Sequence, residues 1–83
     1  MSKILVEVYV PAARLKYDAY IPAESRVGEV GLLLSSAISD LSKGQYRENR
    51  EATICNFSTG KEYNKSLRVF ETDIDNGSKI MIT

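Results

Sequence analysis

Few side chains in this chain could do chemistry. Its 83 residues include no histidine and one cysteine, Cys55. Without histidine the commonest general base and metal ligand is missing. A single thiol cannot hold zinc or an iron–sulfur cluster, which need several thiolate or imidazole ligands. As a nucleophile, Cys55 would need a nearby base to take its proton; none is evident, and a packed strand cysteine is the plainer interpretation. Ser58-Thr59-Gly60-Lys61 contains a Gly-Lys pair, but a phosphate-cradling loop needs an earlier glycine and a helix behind it. The segment reads as a turn. Asp73 and Asp75 could share a cation, although carboxylates flanking a turn are ordinarily solvated. Lys43, Arg47, Arg50 and Lys61 could gather around Tyr46 as a basic patch. Glu48, Glu51 and Glu62 interleave with them, which favours a mixed, solvated face. No catalytic residue, metal ligand or cofactor is assigned.

Composition narrows the classes further. Eleven basic residues balance eleven acidic ones, which argues against a general nucleic-acid binder because such a protein needs excess Lys and Arg for phosphates. A lone cysteine cannot form an intrachain disulfide and suits a reducing compartment. The chain enters an alternating segment right after Met1-Ser2-Lys3, with no signal peptide and no run long enough to span a bilayer. A cytoplasmic, non-enzymatic protein of one domain, residues 1–83, is expected. A domain this small buries only ~60% of its unfolded surface.

The elements that would position any site follow from periodicity. The pivot is Ser25 to Ser42. Val27, Val30, Leu34, Ile38 and Leu41 are spaced three, four, four and three apart, which puts them on one face of a helix. Ser25 is the expected N-cap, Glu29 suits the positive helix end, and Lys43-Gly44 suits the stop. Leu32 falls off the stripe and should face solvent or be covered by a loop or a second subunit. Ile4 to Val10 alternates, with Ile4, Val6, Val8 and Val10 on one side, as a half-buried strand does. Pro11 to Arg14 breaks the run. Leu15 to Ile21 alternates again, with Leu15, Tyr17, Ala19 and Ile21 inward, so the pair predicts an antiparallel hairpin. A polar loop covers Lys43 to Glu51. Ala52 to Phe57 is a third strand whose facing is open: either Ile54, or Cys55 with Phe57, points to the core. Glu62 to Asn64 could be a short edge strand. Asp75-Asn76-Gly77-Ser78 is a turn signal, and Lys79 to Thr83 is the last strand, with Ile80 and Ile82 inward. The order ββαββ, plus a short edge strand, predicts an α+β β-grasp: a mixed sheet of four to five strands with one helix across it and the last strand parallel to the first.

Several of these segments resemble ubiquitin: Thr59-Gly60-Lys61, Val69 and Ile74 five apart, Asn76-Gly77-Ser78-Lys79-Ile80, and the helix stripe. Tyr17-Asp18-Ala19-Tyr20-Ile21-Pro22-Ala23 and Asp75-Asn76-Gly77 most resemble the YukD/EsaB-like bacterial ubiquitin-like proteins. That resemblance implies a cytoplasmic accessory or regulatory protein of type VII (Esx/WXG100) secretion. Its partners would be proteins, such as a secretion-system ATPase or membrane component. The alternative is a ubiquitin-like carrier or modifier, which requires a terminal Gly-Gly, whereas this chain ends Ile80-Met81-Ile82-Thr83.

If the inward assignments hold, the outer sheet face displays Leu5, Tyr9, Tyr20 and Met81, with Glu7, Lys16 and Asp18 between them. Aromatic residues and Met are enriched at interfaces, and ubiquitin-like proteins commonly bind through this face. Leu5, Tyr9, Tyr20, Met81 and Lys16 are the predicted protein-binding residues. Tyrosine also simply suits an exposed strand. Self-pairing through an exposed edge strand is a further option.

Overall fold

The computed structural model describes residues 2–83. Its elements are β1 (Lys3–Val10), β2 (Leu15–Pro22), α1 (Val27–Leu41), β3 (Ile54–Asn56) and β4 (Lys79–Ile82). The sheet has four strands in the order β2-β1-β4-β3. β1 is antiparallel to β2 and parallel to β4, and β3 is antiparallel to β4. This is the mixed β-grasp sheet predicted from the pattern. The expected edge strand at Glu62 to Asn64 reduces to a single bridge, Cys55 to Glu62, because only Asn56 and Tyr63 bond across that gap.

The alternation of the two long strands is realised as packing. Val6, Val8 and Val10, with Ile80 and Ile82, are wholly buried against the helix. Each such side chain contributes ~1.5–3 kcal/mol by leaving water. Leu15, Tyr17 and Ala19 face the same way but are only partly covered, while Ile21 is buried. From the helix come Val27, Val30, Leu34 and Ile38. Ile54 completes the core on β3, which decides the open facing: Ile54 points inward, and Cys55 and Phe57 belong to the other side.

Two expectations for the helix need correction, and one residue of the following loop is placed unexpectedly. Ser25 is not the cap. The N-cap is Arg26, whose N–H donates to the Glu29 carboxylate at 3.3 Å. The first-turn donors find partners elsewhere: Val27 N–H donates to the Leu67 carbonyl (2.8 Å) and Gly28 N–H to that of Lys65 (3.1 Å). A loop that supplies carbonyls removes the need for a serine oxygen, and the Ser25 carbonyl instead accepts Val69 N–H. Leu41 is not core. At the last turn it falls on the helix flank and is 63% exposed. Tyr46 does not stand on the mixed, solvated face expected of its loop. It is buried, and its hydroxyl lies 3.1 Å from Ser35 Oγ.

Ser35 explains how the loop after the helix is held. It is fully buried on the helix flank, and its Oγ also accepts Asn49 N–H at 2.7 Å. Ser42 Oγ accepts Tyr46 N–H at 3.0 Å. Two buried serines thereby fold the polar loop onto the helix, and no buried side-chain nitrogen or oxygen among the described residues lacks a partner.

The expected tight pieces form. Val69–Glu71 is a short 3₁₀ turn that plugs Val69 and Ile74 into the core. Asp75 to Ser78 closes with Ser78 N–H donating to the Asp75 carbonyl at 2.9 Å. Gly77 there has φ of 86°, a left-handed angle that glycine adopts without steric cost.

Candidate functional site on the outer face of the sheet

The outer face is built in rows set by the strand register. One row runs Lys16, Tyr9, Met81, Cys55 across all four strands, because Tyr9 opposes Lys16 on β2 and Met81 on β4, and Met81 opposes Cys55 on β3. The next row holds charge: Glu7 opposes Asp18 and Lys79. A third pairs Leu5 with Tyr20. All five residues predicted for this face stand on it, in two groups rather than one. Tyr9, Lys16 and Met81 lie together, and Leu5 with Tyr20 lies four residues along the strand, ~13 Å away.

A residue not among the five completes the first group. Phe57 follows β3, turns onto this face and stacks on Tyr9 with ring centroids 4.1 Å apart and planes at 30°. Phe57 is 40% exposed, so the stack covers Tyr9 while presenting a ring edge to solvent. The signal that could have found it was the Cys55/Phe57 alternation, legible once Ile54 is known to be inside. At the other end Tyr20 is 69% exposed and Leu5 37%.

Electrostatics on this face are sparse. Lys16 Nζ lies 3.2 Å from Glu7 Oε1, the one ion pair among the described residues. The hydrogen bond to Glu7, and then its charge, raise the Lys16 pKa. Glu7 and Asp18 stand directly opposite each other, and like charges so placed repel.

The residues screened for chemistry have structural surroundings. Cys55 is buried, and burial first, then the Glu62 carboxylate, push its thiol pKa up, which disfavours the thiolate a nucleophile requires. Asp75 is engaged in its turn, where its carboxylate accepts Asn76 N–H at 2.7 Å. Asp73 instead lines a cleft of about 460 Å³ with Tyr63, Asn56 and Lys61. Burial, then the Asp73 hydrogen bond, raise the Tyr63 pKa, opposed by Asn56; Asn56 Nδ2 donates to Tyr63 Oη at 3.1 Å. That phenol is held protonated and bonded.

No protein-family model matches the chain, and no curated protein sequence does. Its backbone, however, superimposes on solved structures. The ubiquitin-like domain of EccD5 from Mycobacterium xenopi matches with TM-score 0.81 and 11% identity, over 100% of this chain and 94% of that one. The fold is ubiquitin-like. The ubiquitin-like domain of the Mycobacterium tuberculosis type VII secretion protein ECCD1 matches with TM-score 0.76 and 10% identity, over 99% and 98% of the two chains. A component of the MycP5-free ESX-5 inner membrane complex matches with TM-score 0.82 and 13% identity. There the ubiquitin-like chain is fully covered but spans only 21% of its counterpart. At such identities the likeness is one of fold. No helix among the described residues is long and apolar enough to cross a membrane.

Proposed function

We propose that this ubiquitin-like chain is a non-catalytic, cytoplasmic interaction module of a type VII secretion apparatus, and that it docks on a protein partner through the outer face of its sheet. The observation that carries this is the cluster of two stacked rings, Tyr9 and Phe57, beside the thioether of Met81. It is built from residues that the core does not need, on the sheet face turned away from the helix. Rigid aromatic side chains supply contact area at low entropic cost, and Lys16 at the rim adds a cation that can select an acidic neighbour. The secretion assignment draws on the likeness to the EccD5 and ECCD1 ubiquitin-like domains and to a chain of an ESX-5 inner membrane complex. It agrees with the sequence resemblance to YukD/EsaB-like proteins. The partner would be the secretion ATPase or a membrane component. The non-catalytic role is supported by the protonated, buried Cys55 thiol and by the missing histidine.

The test is retention of detergent-solubilised host membrane proteins on the tagged chain. A secretion ATPase or membrane component should be retained by the wild type and lost with Phe57→Ala/Met81→Ala, and also with Tyr20→Ala/Met81→Ala. Far-ultraviolet circular dichroism should be unchanged in both. Equal retention by both variants would sink the sheet-face assignment. Covalent adducts, or capture of an adenylating enzyme, would replace the module by a carrier.

A further inference from the structure

The two edges of the sheet are not alike. The β3 edge is occupied: Tyr63 N–H donates to the Ile54 carbonyl and Asn56 N–H to the Lys61 carbonyl, both at 2.9 Å. The β2 edge has no strand beside it among the described residues. On β1, the Leu5 carbonyl and Glu7 N–H bond toward β4, so the groups of Val6 and Val8 point toward β2. Ala19 and Tyr17 oppose those two residues. The backbone groups of Lys16, Asp18 and Tyr20 therefore point away from the sheet. β2 is eight residues long, and an unprotected edge of that length is a template for another strand.

The helix leaves apolar surface on the same side. Gly31 packs against Ala52 and Ile54, and Ser35 against Tyr46, so that flank of the helix faces β3. At 100° per residue Leu33, Ala37 and Leu41 form a ridge along the opposite flank, the one toward β2. Leu33 and Leu41 are each 63% exposed. Below them Leu15, Tyr17 and Ala19 are only partly covered.

Charge selects the occupant. Asp18 opposes Glu7 and forms no ion pair among the described residues, while Lys16, two residues away on the same face, is bonded to Glu7 and feels the Asp18 charge only at longer range. We propose that the occupant is a second copy of this chain, paired antiparallel through β2 about a two-fold axis at Tyr17. In that register Lys16 of each copy opposes Asp18 of the other. The pairs Lys16–Asp18 and Asp18–Lys16 are hydrogen-bonded ones, and Tyr17 meets Tyr17 in a non-hydrogen-bonded pair. Shifting the register by one pairing step would set Asp18 against Asp18. Both copies keep their helices on one side, so the two leucine ridges close over the tyrosine pair. The outer faces join as one eight-stranded platform. The association shares Lys16 with the docking role given to the Tyr9 cluster, while Tyr9, Phe57 and Met81 take no part in it.

The symmetry makes the test decisive. Sedimentation equilibrium of the wild type should give twice the 9.3 kDa chain mass. Lys16→Asp alone sets acid against acid and Asp18→Lys alone sets base against base, so each should weaken association about tenfold or more. Mixing these two monomeric variants should restore a 1:1 dimer, and the Lys16→Asp/Asp18→Lys chain should dimerise by itself. In a Cys55→Ser background, Tyr17→Cys should oxidise to a covalent dimer, since non-hydrogen-bonded partners lie within disulfide reach. Circular dichroism checks that each variant folds, and the charge-swapped chain and the mixture keep the test alive if a single variant does not. A wild type that stays monomeric at millimolar concentration would overturn the proposal. So would single variants that dimerise as the wild type does, or variants that fail to rescue each other.

Discussion

The two faces of β1 and β4 are made from alternate residues of the same strands, yet they obey different rules. Inward, Val6, Val8, Val10, Ile80 and Ile82 are all 0% exposed. Each is a β-branched side chain whose volume is dictated by the helix above it. Outward, Leu5, Glu7, Tyr9, Lys79 and Met81 mix apolar, aromatic and charged types, and no second layer constrains them. An apolar residue inside is explained by packing; an apolar residue outside is not. The difference teaches where function can be sought: among outward residues whose chemistry the fold does not require.

The comparison predicts unequal costs for similar truncations. Ile80→Ala removes buried methyl groups beside β1 and α1 and should cost about 2–5 kcal/mol. Tyr20→Ala removes a larger side chain from the outer face and should stay within about 0.5 kcal/mol. Urea denaturation with a common slope would read both. A Tyr20→Ala cost approaching that of Ile80→Ala would mean the outer face is structural after all.

A smaller effect is expected at Ser35, the polar exception on the buried side. Ser35→Ala leaves the Tyr46 hydroxyl and Asn49 N–H without their shared partner, at about 1–3 kcal/mol. Tyr46→Phe in the same background should add little, because the two share one bond. Full additivity in that double-mutant cycle would show that the hydroxyls act separately.

On the outer face, Phe57→Ala removes one partner of the ring stack, worth about 0.5–1.5 kcal/mol beyond its area. The loss should be smaller in a Tyr9→Ala background. If it is not, Phe57 is held by the turn and not by Tyr9.

The sequence was most informative where period and packing coincide. The hairpin, the helix stripe, the last strand and the turn at Gly77 were legible because each repeats a two- or 3.6-residue pattern or demands a special dihedral. Ser25 and Leu41 misled because capping and burial at helix ends depend on what lies beyond: the carbonyls of Lys65 and Leu67 at one end, the exposed flank of the last turn that carries Leu41 at the other. Tyr46 was unreadable because its partner, Ser35, is a polar residue that only the folded loop satisfies. At the site, Leu5, Tyr9, Tyr20, Lys16 and Met81 followed from strand alternation alone. Their division into two groups, and the arrival of Phe57, required the register and the turn after β3.

The smallest effect expected concerns Lys16, whose charge is the only one among the described residues paired across the outer face. Its pKa is raised from an ordinary 10.5, first by the hydrogen bond to Glu7. A raised pKa means that the folded state holds the proton more tightly than the unfolded state. The stabilisation is therefore complete below the unfolded value and is lost as pH climbs through the folded one. At neutral pH Lys16→Met should be slightly less stable than the wild type, and the gap should close above about pH 10.5. High salt at neutral pH should also narrow it, because the pair is exposed. Dilute protein keeps association through β2 out of the measurement. If the gap persists unchanged at alkaline pH, the Lys16–Glu7 charge pair is not its source and the outer face is held with no contribution from that charge.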